Sequence, residues 1–265
     1  MKTYIKEFIL PDLGGRSDYP YDILGPKQLR NLEFEPVTIF YGSNGCGKST
    51  LLNIIARKLQ LDMKDRGNDS LSLEPIIEQC SFLAPMCRRP NPTDLIPDNS
   101  KFIRSEEVMH AIVDIRKQNE RIKTHIRTTR PDLYERFFNN ESGHTGYVWS
   151  DDSWIYGAVS RFGDARSNGE LAFEYFQSEI PFDSLILLDE PENSMSPKYQ
   201  KELSKMILDY ARFFNCQFIM ATHSPFLLAI PDAKIYNLDH APSNVCRFRD
   251  LETIKLYKEL FDSIK

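Results

Sequence analysis

An apolar run rich in β-formers, Val37-Thr38-Ile39-Phe40-Tyr41, leads directly into Gly42-Ser43-Asn44-Gly45-Cys46-Gly47-Lys48-Ser49. The eight residues fit G-x-x-x-x-G-K-S/T in full, and a helical apolar pattern at Leu51, Leu52, Ile55 and Leu59 follows. Strand, glycine-rich loop and helix in that order constrain the fold more than anything else in the chain. Glycines let backbone N–H groups turn inward around an anion, and the helix starting near Lys48 aims its positive end at the same point. Lys48 is expected to reach phosphate oxygens, Ser49 to offer its hydroxyl to Mg²⁺, and Thr50 to continue the cradle. A chance match in a chain of 265 residues is on the order of 1 in 100, taking Gly at about 7%.

Three further segments carry polar chemistry. Leu185-Ile186-Leu187-Leu188-Asp189-Glu190-Pro191 reads as a buried strand ending in two acids, and such ends are where open α/β sheets bind ligands. Asp189 would hold Mg²⁺ and Glu190 would orient an attacking water. Ser167-Asn168-Gly169-Glu170 is by itself a weak tetrapeptide, equally a surface turn and helix cap. Ala221-Thr222-His223-Ser224-Pro225 follows another apolar run, and His223 there suits either a phosphate contact or a structural role.

The remaining periodicities predict strands over 184–188, 217–221 and 234–238. Helices are predicted over 105–128, 170–179, 197–214 and 251–264. Thr3 to Leu10 is β-rich and Pro11 to Pro26 loop-like. The Asp-, Asn- and Pro-rich stretch 62–100 reads as irregular, and 139–170 as mixed. Alternating strands and helices give an α/β fold with a mainly parallel sheet.

Taken in order, Gly42–Ser49, Ser167–Glu170, Leu185–Pro191, Ser194–Pro197 and His223 resemble the layout of an ABC-type ATPase: P-loop, signature, Walker B strand, D-loop and switch histidine. The resemblance spans the chain. It is similar more narrowly to the bacterial ABC-type proteins often labelled AAA family ATPase, through Leu188-Asp189-Glu190-Pro191-Glu192-Asn193-Ser194 and Ala221-Thr222-His223-Ser224-Pro225-Phe226-Leu227-Leu228.

The resemblance implies one P-loop NTPase domain over 1–265, an ABC-type nucleotide-binding domain. Antiparallel strands would precede its mainly parallel sheet, and a helical insertion would occupy about 100–145. It implies ATP and Mg²⁺ as cofactors, hydrolysis with Glu190 and His223 catalytic, and Ser49 and Asp189 on the metal. It also implies a head-to-tail homodimer, in which Ser167, Gly169 and Glu170 of one copy cover the nucleotide held by residues 42–50 of the other. The signature departs from the transporter form LSGGQ, with Asn168 for the second glycine and Glu170 for the glutamine. A glutamate there resembles SMC-like and recombination-repair ATPases. The implied output is an event on nucleic acid or a partner protein, of genome-maintenance or anti-phage type. The alternative is the ATPase subunit of a transporter whose membrane chain is separate. A third possibility is a regulatory module in which nucleotide sets a dimer and turnover is incidental.

Bulk properties fit either output. The net charge of −5 makes no general magnet for nucleic acid, although a local basic patch remains open. The charged start does not read as a signal peptide, and no apolar run reaches the ~20 residues a membrane span needs, so a cytoplasmic location without direct membrane insertion is expected. The wide spacing of Cys46, Cys80, Cys87, Cys216 and Cys246 suits reduced thiols. The segment Arg104–Arg136 carries Arg116, Lys117, Arg121, Lys123, Arg127 and Arg130 among acids. It reads as a solvated, ion-paired helix face or as a partner-docking arm. Gln79 and Glu106 both compete for the Q-loop position. Tyr19 and Tyr21 stand at a plausible distance for stacking on a base, against packing on their own turn.

Overall fold

The computed structural model describes residues 1–63, 70–85, 96–135 and 166–264. Its strands are β1 (Glu7–Ile9), β2 (Asn31–Glu33), β3 (Val37–Tyr41), β4 (Ser81–Leu83), β5 (Lys101–Arg104), β6 (Leu185–Asp189), β7 (Gln217–Ala221), β8 (Lys234–Asn237) and β9 (Asn244–Cys246). Its α-helices are α1 (Tyr21–Leu24), α2 (Lys48–Lys58), α3 (Ser70–Gln79), α4 (Ser105–Thr129), α5 (Pro131–Tyr134), α6 (Asn168–Glu179), α7 (Pro197–Phe213), α8 (Pro225–Leu228) and α9 (Glu252–Ser263).

Strands β3, β6 and β7 are buried at every residue. A strand apolar on both faces must be covered on both, which is the habit of parallel sheets. Six strands accordingly lie in the order β5-β6-β7-β3-β8-β9. The first five are parallel, and β9 runs antiparallel to β8. The period of two sorts the side chains. Phe40, Leu185, Leu187 and Ile219 enter one core, shared with Leu51, Leu52 and Ile55 of α2. Ile39, Ile186, Leu188 and Phe218 enter the other, with Phe176 of α6 and Leu203 and Ile207 of α7.

Antiparallel strands expected near the N-terminus are present as a three-stranded sheet, β2-β1-β4. Its Phe8 and Leu32 join the α2 core. Buried Gln217 ties the N-terminal segment to the large sheet: its Oε1 accepts from the N–H groups of Tyr4 (2.6 Å) and Ile5 (3.0 Å), and its Nε2 donates to the Ile5 carbonyl (2.9 Å).

Several boundaries differ from expectation. Only Glu7–Ile9 of the β-rich start is strand, and the loop-like stretch after it contains α1. Residues 62–100, read as irregular, include helix α3 with Pro75 inside it. Leu73, Ile76 and Ile77 fall on one helical face and bury in the α2 core, and that burial offsets a helix-interior proline costing ~3 kcal/mol. Lys58 Nζ donates to the Ile77 (2.9 Å) and Glu78 (3.2 Å) carbonyls, answering the negative end of α3. The expected helical insertion begins at Ser105, because Lys101–Arg104 pair with β6 in the main sheet. Its part beyond 135, with Arg136, most of the mixed stretch 139–170, and Cys87 lie outside the described residues. Cys46, Cys80 and Cys216 are buried free thiols, and Cys246 is half-buried. No described helix is long and apolar enough to cross a membrane.

Because five strands are parallel, the residues that follow them gather along one edge: Gly42 after β3, Ser105 after β5, Glu190 after β6, Thr222 after β7 and Leu238 after β8. Replacing Gln217 by Leu leaves two buried N–H groups without acceptors, at about 1–3 kcal/mol each. Urea denaturation of Gln217→Leu is expected to show a loss of roughly 2–5 kcal/mol on that basis. A loss under about 1 kcal/mol would mean the two sheets are not joined through this side chain.

Candidate active site

Backbone geometry at the loop is imposed by close packing. Gly47 has φ +101°, and a Cβ there would stand 2.7 Å from Leu24 Cδ2 and 3.0 Å from Ile23 Cγ2. Glycine alone meets both demands. The loop entrance is held by Asp239, whose Oδ1 accepts from the Ser43 N–H and from Ser43 Oγ, both at 2.7 Å. Lys48 is buried, and its ammonium donates to the carbonyls of Gly42 (2.9 Å) and Ser43 (3.2 Å) and to His223 Nε2 (2.7 Å). A lysine has only donors, so Nε2 is the acceptor and Nδ1 carries the ring proton. Burial, and then the Lys48 charge, lower the His223 pKa, in keeping with a neutral ring. Cys46 is buried within the loop, and burial pushes its thiol pKa up.

The strand tips complete the cluster. Ser49 Oγ donates to Asp189 Oδ1 at 3.0 Å. Glu190 Oε1 lies 3.9 Å from Lys48 Nζ and 3.7 Å from His223 Nε2. Glu190 has φ +47°, a left-handed backbone that costs a non-glycine residue about 1–3 kcal/mol. Its N–H donates to the Ala221 carbonyl (2.9 Å), and its Oε2 accepts from Asn193 Nδ2 (3.2 Å). The Asp189 carboxyl is buried and its pKa is pushed up to about 6, first by burial and then by the charges of Glu190 and Glu106, against the Ser49 hydrogen bond and Lys48. Glu106 therefore stands within electrostatic reach of the cluster. Gln79, its competitor, ends α3 and donates to the Pro75 carbonyl (2.8 Å).

Residues 167–170 bond elsewhere. Ser167 caps α6, its Oγ accepting from the Glu170 N–H (3.2 Å). Asn168 Oδ1 accepts from Arg116 of α4 (2.5 Å). Gly169 is buried, and a Cβ there would meet Tyr199 Cδ2 at 3.1 Å, Ser196 N at 3.2 Å and Met195 Cα at 3.3 Å. None of these contacts reaches residues 42–50. On α4, Lys117–Asp114 (3.7 Å) and Lys123–Glu120 (3.6 Å) are i,i+3 ion pairs, so the solvated-face reading fits these two, while Arg116 meets Asn168 instead. Tyr19 leaves its own turn to bond Thr50 (OH to Oγ1, 3.0 Å), whereas Tyr21 is buried with the Arg16 guanidinium 3.9 Å from its ring centroid.

Sequence reading gave Asp239 and Glu192 no role. Glu192 Oε1 accepts from the N–H groups of His223 (2.6 Å) and Ser224 (3.1 Å). An acid so close to the strand tip was the available signal for Glu192. Asp239 had no local signal beyond following a strand.

Residues 176–229 match the family described as "AAA domain, putative AbiEii toxin, Type IV TA system". A search of curated proteins finds no match. Among solved structures, the SMC head domain from Thermotoga maritima is 12% identical, with 93% of this chain and 99% of that one covered and a TM-score of 0.42. An Smc head domain with an extended coiled coil, bound to the C-terminal domain of ScpA derived from Pyrococcus furiosus, is 12% identical over 99% and 100%, TM-score 0.43. A dimeric bacterial ABC transporter cassette is 13% identical over 83% and 90%, TM-score 0.40. The fold is α/β with a mostly parallel sheet and the glycine-rich loop between β3 and α2, similar to that of P-loop ABC and SMC head domains.

A carboxyl held at about 6, against an ordinary 3.8, makes the folded state bind protons more tightly than the unfolded one. Its contribution is thus best at low pH and is lost as pH rises through 6. In metal-free buffer at pH 8, Asp189→Asn is expected to be more stable than the parent by up to about 3 kcal/mol. The gain should shrink as pH falls through 6 and vanish only below the unfolded value of 3.8. Urea titrations at several pH values with a chelator present read it directly, and equal stabilities at pH 8 would refute the buried-charge account.

Proposed function

We propose that this chain binds ATP with Mg²⁺ and hydrolyses it in a site shared by two copies. The observation that carries the reading is the convergence of Lys48, Ser49, Asp189, Glu190 and His223 within 4 Å contacts of one another in sequence-distant pairs. The backbone of residues 42–50 would cradle the phosphates, with the Lys48 ammonium on the outer ones. Ser49 Oγ and the Asp189 carboxylate are hard oxygen donors side by side, beside further negative charge from Glu190 and Glu106. Such a set suits Mg²⁺, which when bound would neutralise phosphate charge. Glu190, fixed by Asn193 and by its own backbone, would orient and polarise the attacking water. Neutral His223, protonated on Nδ1, would report on the terminal phosphate through the nitrogen that now accepts from Lys48. Glu106 is the better candidate for the Q-loop position, since Asp189 feels its charge.

Support for two copies comes from Ser167, Gly169 and Glu170. They cap and seat α6 without touching the P-loop of their own chain, so a helix N-terminus with Ser167 at its start remains to face another copy's nucleotide. Head-to-tail pairing would make ATP the bond between copies and hydrolysis their release. We read the output as an event on nucleic acid or on an effector protein, of genome-maintenance or anti-phage type. The support for it is Glu170 at the end of the signature.

Lys48→Ala is expected to lose ATP binding. Glu190→Gln should bind ATP, lose about 10²- to 10⁴-fold in turnover, and remain a dimer, seen as a mass shift with Mg-ATP by light scattering. Ser167→Arg should bind ATP yet neither pair nor hydrolyse. Normal hydrolysis by Ser167→Arg would sink the shared site, and a mass shift of Glu190→Gln that requires added DNA would assign the output to nucleic acid.

A further inference from the structure

The short segment after β6 does two jobs at once. Glu190 points toward Lys48 and His223. Two residues later, Glu192 is half-buried, its Oε1 accepting from the backbone N–H groups of His223 and Ser224 at 2.6 and 3.1 Å. These N–H groups follow β7, where the sheet ladder can no longer satisfy them. The ring of His223 is thereby hung from the same turn that carries Glu190. A second tie runs parallel to the first: Ser224 Oγ donates to Gln200 Oε1 (2.8 Å), and Gln200 Nε2 donates to the Met195 carbonyl (2.9 Å). Glu192 Oε2 is buried without a hydrogen bond of its own; the Thr222 hydroxyl lies beside the carboxyl and also accepts from the Ser224 N–H at 3.0 Å, so the 2.6 Å bond from the His223 N–H is the tie that Glu192 alone supplies.

We propose that Glu192 is a positioning residue for ATP hydrolysis, setting His223 against Glu190 and Lys48 by holding the backbone of residues 223 and 224. It acts through geometry and not through its charge, since the groups that meet it, two backbone amides and the Thr222 hydroxyl, are all uncharged. The inference rests on the proposed ATPase reading for its kinetic test, but the contact itself is open to a test without nucleotide.

Glu192→Gln keeps both the reach and an acceptor oxygen while removing the charge. Glu192→Asp keeps the charge and withdraws the oxygen by one methylene. With ATP affinity roughly unchanged for both, Glu192→Asp is expected to lose about a hundredfold in kcat, the scale of a 1 Å misplacement, and Glu192→Gln to stay close to the parent. Glu192→Ala should match Glu192→Asp, and placed on top of His223→Ala it should cost nothing further, because its effect passes through that ring. An active Asp variant with an inactive Gln variant would overturn the proposal in favour of charge. Full additivity with His223→Ala would overturn it in favour of a general structural role. If the parent chain does not hydrolyse ATP, the ATPase reading fails on its own. The imidazole resonance of His223 in nucleotide-free protein then decides this contact: it should move in Glu192→Asp and hold in Glu192→Gln, and an unmoved resonance in both would refute the tie.

Discussion

Lys48 places an ammonium group among the strand tips, with its side chain almost wholly enclosed. A buried cation is tolerated only where acceptors surround it. Here the Gly42 and Ser43 carbonyls come from the end of β3 and the His223 nitrogen from the end of β7, with the Glu190 carboxylate from the end of β6 in ion-pair range. Three strand ends are thus brought together around one charge. Their relative heights are fixed by the parallel register, in which Asp189 stands opposite Ala221 and Phe40 opposite Ala221. A slip of one residue in β6 would exchange Leu188 for Asp189 at the tip and swap its two apolar faces.

The turn from Glu190 to Ser196 is where the other polar elements meet this centre. Glu190 and Ser194 both take left-handed backbone, φ +47° and +69°. Neither is glycine, so the turn persists because its bonds over-determine it: Glu190 N–H to Ala221, Asn193 to Glu190, Met195 N–H to the Glu192 carbonyl. Ser194 Oγ reaches Met109 Sδ of α4 at 2.8 Å. Gly169 of α6 packs closely on Met195 and Ser196, where a Cβ would stand 3.2–3.3 Å from their backbone atoms. Arg116 joins α4 to α6 at Asn168. Helix α6, α4 and the polar strand tips are therefore in direct contact through one strained segment. Its local cost is met by burial on either side, in Leu188, Met195 and Leu203 of the second core.

Much of this was legible in the sequence because the signals were local. A buried parallel strand is a continuous apolar run, so β3, β6 and β7 were readable from 37–41, 184–188 and 217–221, and the glycine spacing of 42–49 announced the turn that follows. What escaped were features decided at a distance. Pro75 argued for irregular structure, yet Leu73, Ile76 and Ile77 find a core contributed by α2, and tertiary burial overrides propensity. Tyr19 was expected on its own turn, but Thr50, 31 positions on, supplies a hydroxyl. Asp239 lies 196 residues from the Ser43 it caps, and only the adjacency of β3 and β8 brings them together. Lys101–Arg104 are too few to display a period, so their place in the sheet was visible only once β6 was beside them.

The site is therefore an energetic exception within a well-packed sheet. Asp189 keeps a carboxyl whose ionisation is opposed by burial and by two neighbouring acids. A pKa near 6 means that the charge present at neutral pH is carried at a cost of about 3 kcal/mol. Glu190 carries backbone strain, Gly47 has no space for another carbon, and Gly169 is tightly packed. None of these features helps the fold, and each would be relieved or tolerated differently in a purely structural sheet edge. A cation between Ser49 and Asp189 would remove the electrostatic penalty, so binding there is favoured by the unfavourable state it replaces. Strand tips that store unfavourable charge next to an anion-turned glycine loop would couple a bound cation to a bound phosphate, because the cation would neutralise both the Asp189 carboxylate and the phosphate beside it.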